Sequence, residues 1–297
     1  MISALHGVYT VRLFSACQNS VDNALDTPHI SFIGAGNMAA SIIGGLLESG
    51  HPPDHLSAAD PFPQSLKRIS AMAPIAVFTE NAAAAEKADV IILAVKPQVM
   101  AEAAESIAGA VEENGSVVIS IAAGITIESL QKRLGDNAAI VRCMPNTPAL
   151  LRAGASGLYA TDTTSAAQRG YAEYVLAAVG TTAWVNAEHQ LDAITALSGS
   201  GPAYFFLFME AMIDAGCELG LDRETATALA LQTGLGAARM ATENTLELAE
   251  LRRQVTSPGG TTERAVAQFE QDGLRTTVAN AMRAAAGRAA EMAREMG

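Results

Sequence analysis

Val255-Thr256-Ser257-Pro258-Gly259-Gly260-Thr261-Thr262-Glu263 gathers hydroxyls, paired glycines and a proline just before a stretch with apolar residues at Ala265, Val266 and Phe269. Adjacent glycines let the backbone turn tightly and approach a ligand closely, because no Cβ intervenes. Thr261 or Thr262 is placed to cap the helix that follows, with Glu263 in its first turn. Hydroxyls and bare N–H groups at a helix N-terminus form an anion site. The same residues also read as an ordinary capped turn, so their partners elsewhere in the chain decide between the two.

A second chemistry-bearing stretch lies near the start. His29-Ile30-Ser31-Phe32-Ile33 reads as a strand running into Gly34-Ala35-Gly36-Asn37-Met38-Ala39, followed by a helix with Ile42, Ile43, Leu46 and Leu47 on one face. Strand, glycine turn and helix form the context in which G-x-G-x-x-G/A binds a dinucleotide: Gly34 makes the turn, Gly36 admits the pyrophosphate and Ala39 permits close packing. A second strand, Leu56 to Ala59, ends at Asp60, where an acid takes ribose hydroxyls and disfavours a 2′-phosphate. Lys67 and Arg68 are the competing signal, read either as phosphate ligands or as a solvated helix face. NADH is favoured and NADPH stays open.

The apolar run Asp89 to Pro97 reads as a buried parallel strand, whose end places Ala94, Val95, Lys96 and Pro97 beside the cofactor, with a plain surface role for Lys96 as the alternative. Further strands are expected at Ile75–Phe78, Gly115–Ile121, Ala139–Cys143, Leu158–Ala160 and Thr182–Val185. Asn146, in the proline-pinned loop Met144 to Pro148, either lines the nicotinamide pocket or stabilises the turn.

From Glu188 the pattern becomes almost wholly helical. The expected organisation is α/β: an N-terminal extension over 1–27, read as mobile; a Rossmann-type dinucleotide-binding domain over 28–187; and an all-helical domain over 188–297. So much apolar helix suits a homodimer interface.

Composition narrows the classes further. With 297 residues, 49% hydrophobic and 17% charged, the chain buries a large core. A net charge of −12 argues against nucleic acid as a partner. No apolar run reaches the ~20 residues of a membrane span. Cys17, Cys143 and Cys217 show no metal or disulfide spacing, which favours a cytoplasmic location.

All four lysines (Lys67, Lys87, Lys96, Lys132) and all five histidines precede residue 190. Dehydrogenases of the 3-hydroxyacid and 6-phosphogluconate type use an acid–base lysine early in the second domain, and none stands there here. An imine, which carries its own electrophilic charge once protonated, is the better-suited hydride acceptor.

From Ile30 to about Glu291 the chain resembles pyrroline-5-carboxylate reductases. The likeness rests on Phe32 to Ala39, Ala94 to Pro97 and Arg142 to Pro148, and most specifically on Leu197-Ser198-Gly199-Ser200-Gly201-Pro202-Ala203-Tyr204 and Val255 to Thr262. The resemblance implies reduction of L-1-pyrroline-5-carboxylate to L-proline with NADPH or NADH, the last step of proline biosynthesis. It implies that Ser257, Gly259, Gly260 and Thr261 bind the substrate carboxylate, that Thr262 hydrogen-bonds the ring nitrogen, and that Asn81 contacts the cofactor alongside Gly34, Gly36, Asn37 and Met38. It also implies dimers through C-terminal helices, often five dimers in a ring. Family members selecting NADPH often carry a small hydroxyl residue where this chain has Asp60, so cofactor preference does not transfer. A reductase of another cyclic imine, or a non-catalytic dinucleotide-binding regulator, would share most of these features.

Overall fold

The structure, a computed structural model, describes residues 27–296; the N-terminal extension and Cys17 lie outside the described residues apart from Thr27. In chain order the elements are β1 (Ile30–Ile33), α1 (Asn37–Glu48), β2 (Leu56–Ala59), α2 (Pro63–Ser70), β3 (Ala76–Phe78), α3 (Asn81–Ala85), β4 (Val90–Leu93), α4 (Met100–Asn114), β5 (Val117–Ser120) and α5 (Ile127–Leu134). Then come β6 (Ala139–Met144), β7 (Gly154–Ala160), α6 (Ala166–Ala177), β8 (Gly180–Trp184), α7 (Gln190–Ile194), α8 (Gly201–Glu218), α9 (Arg223–Thr242), α10 (Leu248–Gln254), α11 (Thr261–Gln271) and α12 (Leu274–Met296).

The strands form one sheet in the order β3-β2-β1-β4-β5-β6-β7-β8, parallel except where β6 meets β7. Strands β1, β4 and β5 are buried along their whole length, the outcome of continuous apolar runs covered on both faces. Alternation splits the side chains between two cores: Phe32 packs with Ile42, Ile43, Leu66, Val175 and Leu176 from α1, α2 and α6. Ile33 packs with Ile107 and Leu130 on the opposite face, from α4 and α5. Strand order turns outward from β1 in both directions, which makes the carboxyl ends of β1 and β4 the ligand edge of such a sheet.

One expectation shifts. Strand β7 starts at Gly154 rather than Leu158, because its glycines answer to packing: a Cβ on Gly154 would stand 2.8 Å from the Val179 carbonyl oxygen, and one on Gly157 2.6 Å from Ile194. By packing, the described residues form two compact units. One compact unit is Thr27–Phe208 with the C-terminal segment from Asp272, and the other described unit is Met209–Gln271. Helix α7 stays with the sheet, where Glu188, just before it, accepts hydrogen bonds at Oε1 from Arg142 of β6 at 2.8 Å and from the Ile127 N–H at 2.9 Å. Helix α12 returns to the same unit, its Met296 packing against the core of α4 and α5.

Candidate active site

The glycine turn fits a dinucleotide. Gly34 has φ +98, in the left-handed region, and a Cβ there would lie 2.7 Å from the Ala94 carbonyl oxygen. That contact joins the turn to the end of β4, so Gly34 and the segment Ala94-Val95-Lys96-Pro97 are brought together. Gly36 is different: a Cβ built on it meets nothing within 4 Å, which leaves the approach to its backbone open. Gly36 opens α1 with no side-chain cap, and the first turn, containing Asn37 and Met38, carries no acidic residue. Uncapped N–H groups at the positive end of a helix suit a pyrophosphate.

Asp60 sits at the end of β2 as expected, yet its carboxylate faces the protein. Oδ2 accepts the Ala35 N–H at 2.8 Å and Oδ1 accepts the Phe62 N–H at 2.9 Å. Arg68 is exposed and donates to the Asn37 Oδ1 and to the Ala35 carbonyl, both at 2.7 Å. Asn81 opens α3, and its amide donates to the Ser106 hydroxyl at 3.0 Å. Lys96 is exposed just past β4.

Asn146 resolves toward the turn. Its amide nitrogen donates to the Ser198 carbonyl at 3.0 Å, and its oxygen accepts the Ala155 N–H at 2.9 Å. The neighbouring Cys143 is fully buried, which pushes its thiol well above the ordinary range and removes it as a nucleophile. Ser198 and Gly199 lie in a π-helical segment, Thr195–Gly199, where a Cβ on Gly199 would stand 2.8 Å from the Met144 methyl. The glycine there serves tight packing.

The loop over 255–260 belongs to the other unit and is exposed apart from the half-buried Thr256 and Gly260. Helix α11 begins at Thr261, with the Gly260 carbonyl accepting the Arg264 N–H at 3.4 Å. Gly260 therefore stands at the cap position expected for a threonine, and both threonines are helical, with exposed side chains. Nor are all the N–H groups bare. The Gly259 N–H donates to the Glu263 carboxylate at 2.7 Å and the Gly260 N–H to the Ser257 carbonyl at 3.0 Å. Gly259 has φ +72, in the left-handed region that favours glycine. The sequence alone did not disclose that Glu263 reaches back to this turn, although its place in the first turn was the signal.

Among the described residues no group of three or more His, Cys, Asp or Glu side chains is arranged to hold a metal, and no helix is long and apolar enough to cross a membrane. Surface cavities lined by Ser116, Ala138 and Gln168, and by His29, His55 and Lys87, lie at the amino ends of the strands, away from the ligand edge.

Residues 29–124 match the family described as NADP oxidoreductase coenzyme F420-dependent, and residues 188–292 match pyrroline-5-carboxylate reductase dimerisation. The pyrroline-5-carboxylate reductase of Pseudomonas aeruginosa is 52% identical over 273 residues, spanning 92% of this chain and 100% of that protein. The chain belongs to the pyrroline-5-carboxylate reductase family. The Haemophilus influenzae reductase is 46% identical over 89% of this chain and 97% of its own length. A solved pyrroline-5-carboxylate reductase from Coxiella burnetii has TM-score 0.88 at 43% identity, covering 90% of this chain and 99% of that one. The Plasmodium falciparum pyrroline carboxylate reductase, solved with NADP bound, has TM-score 0.77 at 28% identity, covering 91% of this chain and 100% of that one.

Proposed function

We propose that this protein reduces L-1-pyrroline-5-carboxylate to L-proline with a hydride from NADPH or NADH. The observation that carries the substrate half is the Gly259 N–H holding the chain's own Glu263 carboxylate at 2.7 Å. The turn before α11 thus already binds a carboxylate, and the substrate's carboxylate takes the place of Glu263. In this reading Ser257, Gly259, Gly260 and Thr261 hold that group by charge-assisted hydrogen bonds, reinforced by the positive end of α11. Thr262 accepts the N–H of the protonated ring nitrogen at its hydroxyl oxygen and so fixes which face of the imine carbon is presented.

The nicotinamide, when bound at the glycine turn of β1 and α1, supplies the hydride. The iminium nitrogen is already protonated, so no protein acid is required, in keeping with the absence of lysine and histidine after residue 190. The residues named contribute chiefly positioning.

Thr262→Ala is expected to lower kcat by roughly 10–100-fold, the worth of one hydrogen bond to a charged group. NADPH affinity should stay unchanged, as single-turnover kinetics and a binding titration would show. An unaltered kcat removes Thr262 from the mechanism.

A second copy of the chain is the partner this reading supplies. Phe205, Phe206 and Leu207 of α8 are 69%, 63% and 66% exposed, and Leu229, Leu231 and Leu235 of α9 are exposed as well. Apolar faces of this kind are covered in homodimers. Assembly of five such dimers is the further step that the family resemblance supports. The net charge of −12 and the buried free Cys143 support a small-molecule enzyme of the reducing cytoplasm.

A further inference from the structure

One residue of the glycine turn is held on both sides. The Ala35 N–H donates to Asp60 Oδ2 at 2.8 Å, while its carbonyl accepts from Arg68 at 2.7 Å. The second Asp60 oxygen accepts the Phe62 N–H at 2.9 Å, and the residue is only 8% exposed. In dinucleotide folds the adenosine ribose is read just beyond the second strand, by an acid that takes its hydroxyls or by an arginine that takes a 2′-phosphate. An acid reading hydroxyls must turn its oxygens outward. Here they turn inward, onto the main chain.

Arg68 has the opposite character. It is exposed, and both its acceptors, the Ala35 carbonyl and the Asn37 amide oxygen, are neutral. A guanidinium has five N–H donors in a fixed fork, so donors remain after these two bonds. Among the described residues no carboxylate pairs with it, and its charge is left for an outside anion. The bond to Asn37 fixes that charge against the residue that opens α1.

We propose that Arg68 binds the 2′-phosphate of NADPH, and that Asp60 is a positioning residue of the glycine turn, so that the chain prefers NADPH to NADH. The inference rests on the cofactor half of the function proposed above and is independent of the substrate. It reverses the simple reading of an acid at the end of the second strand.

The test is equilibrium binding of NADPH and of NADH to the full chain without substrate, followed by nicotinamide fluorescence. Wild type should bind NADPH more tightly. Arg68→Met also releases the Ala35 carbonyl and the Asn37 amide, which lowers both affinities, and loss of the 2′-phosphate contact should weaken NADPH roughly 10–100-fold beyond NADH, the worth of a charge-assisted contact. Arg68→Lys, which keeps the charge and loses the fork, should retain part of the preference. Asp60→Ala, which leaves the Ala35 N–H no side-chain acceptor, should weaken both dinucleotides by one common factor, and the Ala35 amide should lose protection from hydrogen exchange. Equal weakening of both dinucleotides by Arg68→Met overturns the proposal, as does an Asp60→Ala variant that loses NADH alone or leaves Ala35 protected. Wild type binding neither dinucleotide would overturn the cofactor reading itself, whatever the outcome with pyrroline-5-carboxylate.

Discussion

Gly260→Val is expected to abolish useful turnover of pyrroline-5-carboxylate while NADPH binding survives. Gly260 stands immediately before α11, and a Cβ on it would lie 3.0 Å from the Ser257 carbonyl oxygen, the acceptor of its own N–H. A single methyl is tight there; the branched side chain of valine adds two more. The turn must open, which carries the Gly259 N–H and the Ser257 hydroxyl away from the carboxylate they are proposed to hold. Losing two charge-assisted hydrogen bonds of about 1.5–3 kcal/mol each lowers kcat/KM by roughly 10²–10⁴-fold. The glycine turn of β1 belongs to another compact unit, so the NADPH dissociation constant should hold. Steady-state kinetics and a fluorescence titration on one preparation check both halves.

Gly34→Ala should do the reverse, removing cofactor binding and destabilising the sheet unit. The residue has φ +98 and its added Cβ would sit 2.7 Å from the Ala94 carbonyl oxygen and 2.9 Å from the Ala94 carbonyl carbon. Neither is a flexible side-chain end. The left-handed conformation alone costs an L-residue about 1–2 kcal/mol, and the backbone collision brings the total to about 2–4 kcal/mol. To relieve it, the turn must part from the end of β4, and the main-chain approach at Gly36 is lost with it. Urea unfolding should show the destabilisation, and NADPH affinity should fall by more than about 100-fold, or 2.7 kcal/mol. An alanine variant binding NADPH like wild type would mean that the fingerprint glycine is incidental.

The sheet was legible because its signals are local and strong. Runs such as Val90 to Leu93 and the strand–glycine–helix order around Gly34 admit few other structures. Strand β7 was half-hidden because Gly154 and Gly157 lower strand preference in the sequence, and the contacts that require them come from Val179 and Ile194, distant in the chain. The contacts by which the Arg142–Glu188 ion pair and Met296 tie later helices to the sheet are likewise distant in the chain.

Site residues divide in the same way. Residue types and spacing identified the turn before α11 and the end of β2. They did not show where side chains are spent: Asn146 on Ser198 and Ala155, Asn81 on Ser106, Asp60 on Ala35 and Phe62, Glu263 on Gly259. Most of these partnerships are fixed by tertiary geometry, those of Phe62 and Gly259 being local, and each changes the chemistry that a bare sequence position suggests.

The most direct test of the central claim measures NADPH oxidation and proline formation together, with L-1-pyrroline-5-carboxylate and with the same ring lacking its carboxylate. One proline should form per NADPH consumed. The ring without a carboxylate should be poorer by roughly 10²-fold or more in kcat/KM, because the anion site before α11 is left unfilled. Equal turnover of both rings, or no proline despite tight NADPH binding, would contradict it.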